Sequence, residues 1–175
     1  FLDTIERWVQ KDVRPVVMEH DHGDIWPEKL VHQMAELGLF GATIGREYGG
    51  LGLPATTYVK IIAYISSYWM AITGIVNSHL IMAASVERFG TDEQKAKWLP
   101  SFATGEIRGG LALTEPNAGT DLQAIRTVAR REGDEYVING TKTWISNGIK
   151  GSCFALLVKT DPKADPRYKG MSLMI

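Results

Sequence analysis

Two short segments hold the residues best suited to chemistry. Leu111-Ala112-Leu113-Thr114-Glu115-Pro116-Asn117-Ala118-Gly119-Thr120-Asp121 crowds hydroxyls, acids, a proline and a glycine behind a short apolar run. Trp144-Ile145-Ser146-Asn147 follows at the end of a strand-rich stretch. The first pattern suits a strand that ends in a tight loop with its backbone N–H groups pointing outward, an arrangement that holds anions. The second sets a large flat aromatic and a hydroxyl two residues apart, which on a strand would share one face and could cover a ring. Spacing alone leaves a plainer reading open for the loop, since Pro116 fixing φ and Gly119 supplying a permissive backbone make a turn that needs no ligand. Trp144 and Ser146 weigh against it, because a simple turn has no use for a ring and a donor.

The elements that must position these segments divide in two. From Phe1 to about Gly105 the pattern is helical. Leu2, Ile5, Val9 and Val13 recur at the spacing of one helix face, and Pro27-Glu28 reads as the first turn of a helix that stops at Gly38. A glycine-rich connection, 41–52, ends at Pro54, with Gly49-Gly50-Leu51-Gly52 expected as a hinge between helices. Further on, Thr91 with Gln94 matches a capping box. After Gly105 the period changes. Residues 128–131, 136–138 and 154–159 read as strands, 171–175 is strand-like, and turns are expected at Gly133-Asp134, Asn139-Gly140 and Asn147-Gly148, the Asn-Gly pairs being strong hairpin signals. The expected class is α+β: an all-α helical domain, 1–108, followed by the first part of an antiparallel, β-barrel-like domain, 109–175.

With 175 residues, 45% of them apolar, the chain can bury a sizeable core. Nineteen basic residues against twenty acidic ones give a net charge of -1, and no basic cluster is interleaved with aromatics, which argues against a nucleic-acid surface. The single cysteine, Cys153, excludes an internal disulfide and suits a reducing compartment. No charged residue lies between Lys60 and Glu87, but Ser66, Ser67, Thr73, Gly74, Asn77, Ser78, His79 and Ser85 interrupt that segment, so two buried helices are expected and no membrane span. The chain begins at Phe1 and ends within an apolar run, the expectation for a fragment.

Three other groupings carry less. His20-Asp21-His22 with Asp24 has metal-ligand residue types, but its place at a helix end beside Gly23 and Pro27 favours a solvated loop. Ser78 and His79 are neighbours and face different ways on a helix, so they cannot act as a nucleophile and its base. The glycines at 49, 50 and 52 lack the preceding strand and spacing of a dinucleotide-binding loop.

The motifs Leu113-Thr114-Glu115-Pro116-Asn117-Ala118-Gly119-Thr120-Asp121, Gly133-Asp134-Glu135-Tyr136, Asn139-Gly140 and Trp144-Ile145-Ser146-Asn147-Gly148, with Tyr48-Gly49-Gly50-Leu51-Gly52 and Phe89-Gly90-Thr91-Asp92-Glu93-Gln94-Lys95, closely resemble an acyl-CoA dehydrogenase. The resemblance implies FAD as cofactor. It implies that Leu111, Leu113, Thr114, Gly119 and Thr120 lie against the flavin and its pyrophosphate, with Thr120 also a contact for the CoA moiety. Trp144, Ile145 and Ser146 would flank the ring, with Ser146 as donor near N5. Fixed donors at the ring edge would stabilise the reduced flavin without reorganisation. Asn117, Thr120 and Ser146 stand where the family more often has Gly, Ser and Thr. Asn tolerates a left-handed backbone and both hydroxyls are kept.

The implied reaction is desaturation of an acyl-CoA thioester at Cα–Cβ, by removal of the α-proton and transfer of a hydride to flavin N5. The base is expected in a C-terminal helical domain beyond residue 175, with Glu115 and Asp121 building the loop, so no catalytic residue is assigned here and the fragment alone would be inactive. Helices between Thr57 and Phe89 would wall the acyl tail, with Thr73, Asn77 and Ile81 as candidate lining. The resemblance further implies a role in fatty-acid β-oxidation, a homotetramer or dimer, an electron-transferring flavoprotein as partner, and a cytoplasmic location in a bacterium or the mitochondrial matrix in a eukaryote. A same-fold acyl-CoA oxidase or flavin-dependent monooxygenase is the nearer alternative, and a non-enzymatic helical module the more distant one.

Overall fold

The computed structural model describes residues 1–175 and divides into two compact units, Phe1–Ile107 and Arg108–Ile175.

The first unit is all helical. Helix α1 (Leu2–Trp8) passes into a π-helical turn (Val9–Val13), and Ile5, Val9 and Val13 are buried on one face as their spacing requires. Helix α2 (Val17–His22) is short. Helix α3 (Glu28–Glu36) starts after Pro27 and is stopped by Gly38, whose φ of 72° is left-handed. Helices α4 (Ala55–Ser66), α5 (Met70–Phe89) and α6 (Asp92–Thr104) complete the unit. Thr91 opens α6 with both bonds of a capping box to Gln94, and Gly105 closes it at φ 75°.

Two expectations change in this unit. Helix α5, with 20 residues and a mean hydropathy of 1.2 over its most apolar window, is long and apolar enough to cross a bilayer by length and composition, yet half of that window is buried inside the protein. Its polar residues serve the core: Thr73 Oγ1 donates to the Met70 carbonyl, and His79 Nε2 lies 3.0 Å from the Phe102 carbonyl between the edges of Phe40 and Phe102. The glycine-rich connection is no hinge. The N–H groups of Leu51, Gly52 and Leu53 donate to the carbonyls of Gly41, Ile44 and Ala42, and a Cβ on Gly50 would collide with the Ile44 carbonyl.

The second unit is a five-stranded sheet of β1 (Gly109–Ala112), β2 (Val128–Glu132), β3 (Glu135–Asn139), β4 (Cys153–Lys159) and β5 (Met171–Met174), in the order β1-β4-β2-β3 with β5 also on β4. The α+β class holds, but the sheet is mixed rather than antiparallel. β2/β3 and β4/β5 are antiparallel, whereas β1 runs parallel to β4 with Gly109 opposite Cys153, and β2 meets β4 in parallel at Val128 and Lys159. Gly133, at φ 64°, occupies the first central position of the two-residue turn between β2 and β3, where a hairpin needs a left-handed residue. The Asn-Gly pairs close no hairpin: residues 140–152 instead form one long loop leading from β3 to a strand parallel to β1. Cys153 is buried in β4, where desolvation raises its thiol pKa.

Candidate functional site

β1 delivers the first segment. Leu111 lies in β1 opposite Ala155 of β4, and beyond the strand Glu115-Pro116-Asn117-Ala118 closes on itself, Glu115 N–H donating to the Ala118 carbonyl at 2.9 Å and Ala118 N–H to the Glu115 carbonyl at 3.1 Å. Proline at the second position and a small residue at the fourth suit such a turn. Gly119 and Thr120 continue from it exposed to solvent, and nothing lies within 4 Å of a Cβ built on Gly119. Asp121 then accepts the Gln123 N–H at 3.1 Å, which fixes the following turn.

The second segment is a loop rather than a strand. Trp144 has φ 56° and Asn147 φ 65°, so neither continues an extended chain and the shared face expected for Trp144 and Ser146 does not exist in that form. The loop nevertheless lies along β1 in the opposite sense. Thr143 N–H donates to the Thr114 carbonyl at 2.9 Å, and four residues later Asn147 Nδ2 donates to the Gly109 carbonyl at 2.7 Å. Between these two ties Ile145 is half-buried, Ser146 is exposed, and the Trp144 side chain stands out with the residue 90% exposed. The Thr114 turn and the Trp144 edge are therefore neighbours within one unit.

A buried polar knot fixes that contact. Lys142 Nζ donates at 2.9 Å to the Leu113 carbonyl and at 2.9 Å to Glu115 Oε1, with the two side chains 9% and 6% exposed. The same Oε1 accepts the Thr127 N–H at 2.9 Å and the Thr127 hydroxyl at 2.6 Å, while Oε2 accepts the Arg126 N–H at 2.6 Å. Burial by itself would raise the Glu115 pKa, but the hydrogen bonds from Thr127, Arg126 and Lys142 outweigh it and lower the carboxyl to about 2. A carboxylate this firmly held is a poor acceptor of a substrate proton near neutral pH. Gly140 packs against Thr127 so closely that a Cβ would overlap the Thr127 hydroxyl. One carboxylate thus gathers residues 113–115, 126–127 and 142. Spacing could not reveal the pair, because its members lie 27 residues apart and no local period links them.

The other expected groupings stand elsewhere, in the helical unit. Asp21 Oδ1 accepts the Trp69 indole N–H at 3.0 Å and His20 packs edge-on to the same ring. Of the candidate acyl-lining residues on α5, Thr73 is buried against Ser66 Oγ at 3.0 Å, whereas Asn77 accepts the Tyr58 hydroxyl at 3.1 Å and is exposed, as is Ile81.

The chain matches the N-terminal domain of the acyl-CoA dehydrogenase family over residues 1–106 and its middle domain over residues 110–175. It is 37% identical over 158 residues to the short-chain-specific acyl-CoA dehydrogenase of Clostridium acetobutylicum, a match covering 90% of this chain and 42% of that protein. An acyl-CoA dehydrogenase structure from Geobacillus kaustophilus superposes with a TM-score of 0.91 at 34% identity, covering 99% of this chain and 46% of that one. A glutaryl-CoA dehydrogenase of Mycobacterium smegmatis in complex with FADH2 gives a TM-score of 0.85 at 30% identity, over 91% of this chain and 42% of that one. The chain spans less than half the length of each. On two domain matches that together run through nearly all of its residues, this chain belongs to the acyl-CoA dehydrogenase family.

Proposed function

We propose that the protein is an FAD-dependent oxidoreductase that introduces an α,β double bond into an acyl-CoA thioester. The single observation that carries this reading is the conformation of Trp144. A bulky aromatic in a left-handed backbone costs roughly 1 kcal/mol, and leaving the residue 90% exposed recovers little of that by burial. Breaches of local preference of this kind concentrate at functional sites, and a ligand over the ring would supply the burial that the residue lacks. The donor set fits a flavin: Trp144, Ile145 and Ser146 offer a flat surface and a hydroxyl, Leu113 and Thr114 border them across the Thr143 bond, and Gly119 and Thr120 leave open space beside exposed backbone for a pyrophosphate.

FAD, when bound, supplies the acceptor for the hydride that leaves the β-carbon. The residues of this chain bind and orient. Thr114 and Ser146 contribute hydroxyl donors, the knot around Glu115 keeps the two segments in register, and Thr120 meets the pyrophosphate or the CoA moiety. The group that takes the α-proton comes from outside these residues, in keeping with a Glu115 carboxylate that is already saturated with donors. An electron-transferring flavoprotein would be the partner that accepts the electrons, the complete enzyme is a homotetramer or dimer, and it works in the cytoplasm of a bacterium or the mitochondrial matrix of a eukaryote.

The test is anaerobic titration of the full-length protein with a series of acyl-CoA thioesters. A yellow protein whose visible flavin band bleaches, with the matching enoyl-CoA formed, is expected. A colourless protein that takes up no FAD would overturn the reading. Reduced protein that reoxidises rapidly in air would point to the oxidase alternative.

A further inference from the structure

Glu115 lies within the first of the proposed cofactor segments and Lys142 just before the second, and neither is among the residues proposed to touch the flavin. Glu115 has three protein donors besides Lys142, all from the 126–127 side. The ammonium of Lys142, however, also reaches the Leu113 carbonyl, and the next residue, Thr143, donates its N–H to the next carbonyl, that of Thr114. Two consecutive donors on one segment therefore grip two consecutive carbonyls on the other. Trp144 follows directly, at the left-handed φ of 56° that turns the chain.

From this geometry we infer that Lys142 is a positioning residue for the cofactor: its bond to the Leu113 carbonyl, beyond its ion pair with Glu115, sets the register in which the Thr114 turn and the Trp144 loop meet the flavin. This rests on the function proposed above. Lys142 touches neither cofactor nor substrate, and acts through the backbone of Leu113 and Thr143. A buried bond in a knot whose members lock one another holds that register far more firmly than an exposed contact between two loops could.

Charge balance and positioning give different results in a double-mutant cycle on the full-length holoprotein. In Lys142→Met the carboxylate is left buried without its cation and the Leu113 carbonyl loses its donor, so both melting temperature and FAD affinity fall, the affinity by about tenfold or more. Glu115→Gln combined with Lys142→Met removes both charges and restores part of the lost melting temperature. The carbonyl still lacks its donor, so the double variant keeps the weakened FAD affinity and a shifted flavin midpoint potential. If FAD affinity and potential return together with the melting temperature, Lys142 merely balances Glu115 and the inference is wrong. Wild-type FAD affinity in Lys142→Met would also overturn it. Should that single variant not fold, the double variant measured against wild type decides the question. A wild-type protein that binds no FAD would instead defeat the proposed function before any variant is compared.

Discussion

Lys142 Nζ and Glu115 Oε1 stand 2.9 Å apart inside the β unit, both side chains more than nine-tenths buried, and the ammonium extends its reach to the carbonyl of Leu113. Breaking a buried pair from one side is costly, because the remaining charge cannot recover its hydration. In this chain the consequence is both structural and functional, since the pair joins the two segments proposed to receive the flavin.

Glu115 should make stability depend on pH. Its folded pKa of about 2 lies below the ordinary value of 4.5, so its ionised form contributes about 3 kcal/mol of stability that is present above pH 4.5 and lost as pH falls towards 2. Glu115→Gln is expected to lower unfolding free energy by about that amount at neutral pH and to converge with wild type near pH 2. Denaturant unfolding across that range checks it, and a difference independent of pH would contradict the assignment.

Gly140 is required for space. A methyl group there would overlap the Thr127 hydroxyl and press on its Cα, displacing a donor from Glu115. Gly140→Ala should destabilise the β unit by about 2 kcal/mol, read as a lower denaturant midpoint with an unchanged slope. Tolerance of alanine at this position would mean that residues 126–127 do not depend on that approach.

Gly119 is the opposite case. Its added methyl would meet nothing within 4 Å, so Gly119→Ala should leave stability within about 0.5 kcal/mol of wild type. If a pyrophosphate occupies that space, FAD affinity falls while the melting temperature of the apoprotein stays constant. Unchanged FAD affinity would remove Gly119 from the cofactor contacts.

Much of the helical unit was legible because its signals are local. The stop at Gly38 and the capping box of Thr91 with Gln94 each lie within one turn of the element they end or begin. The hairpin at Gly133 was legible for the same reason. Strand direction was not, because β1 pairs with β4 across forty residues of intervening sequence, and no property of either strand records which way its partner runs. The two Asn-Gly pairs misled because their residues serve other needs. Gly140 makes room for Thr127, and Asn147 adopts φ 65° while its side chain ties the loop to Gly109. In the candidate site, the residue types at Thr114 and Trp144 pointed to a ring and a donor, and the structure brings their segments together, but through Lys142 and Thr143 rather than along a shared strand face.

A crystal structure of the full-length protein with FAD is the most direct test. The isoalloxazine ring is expected beside Trp144, within hydrogen-bond reach of Thr114 and Ser146, with the pyrophosphate near Gly119 and Thr120. A flavin seated away from both segments, with Trp144 still in solvent, would contradict that placement.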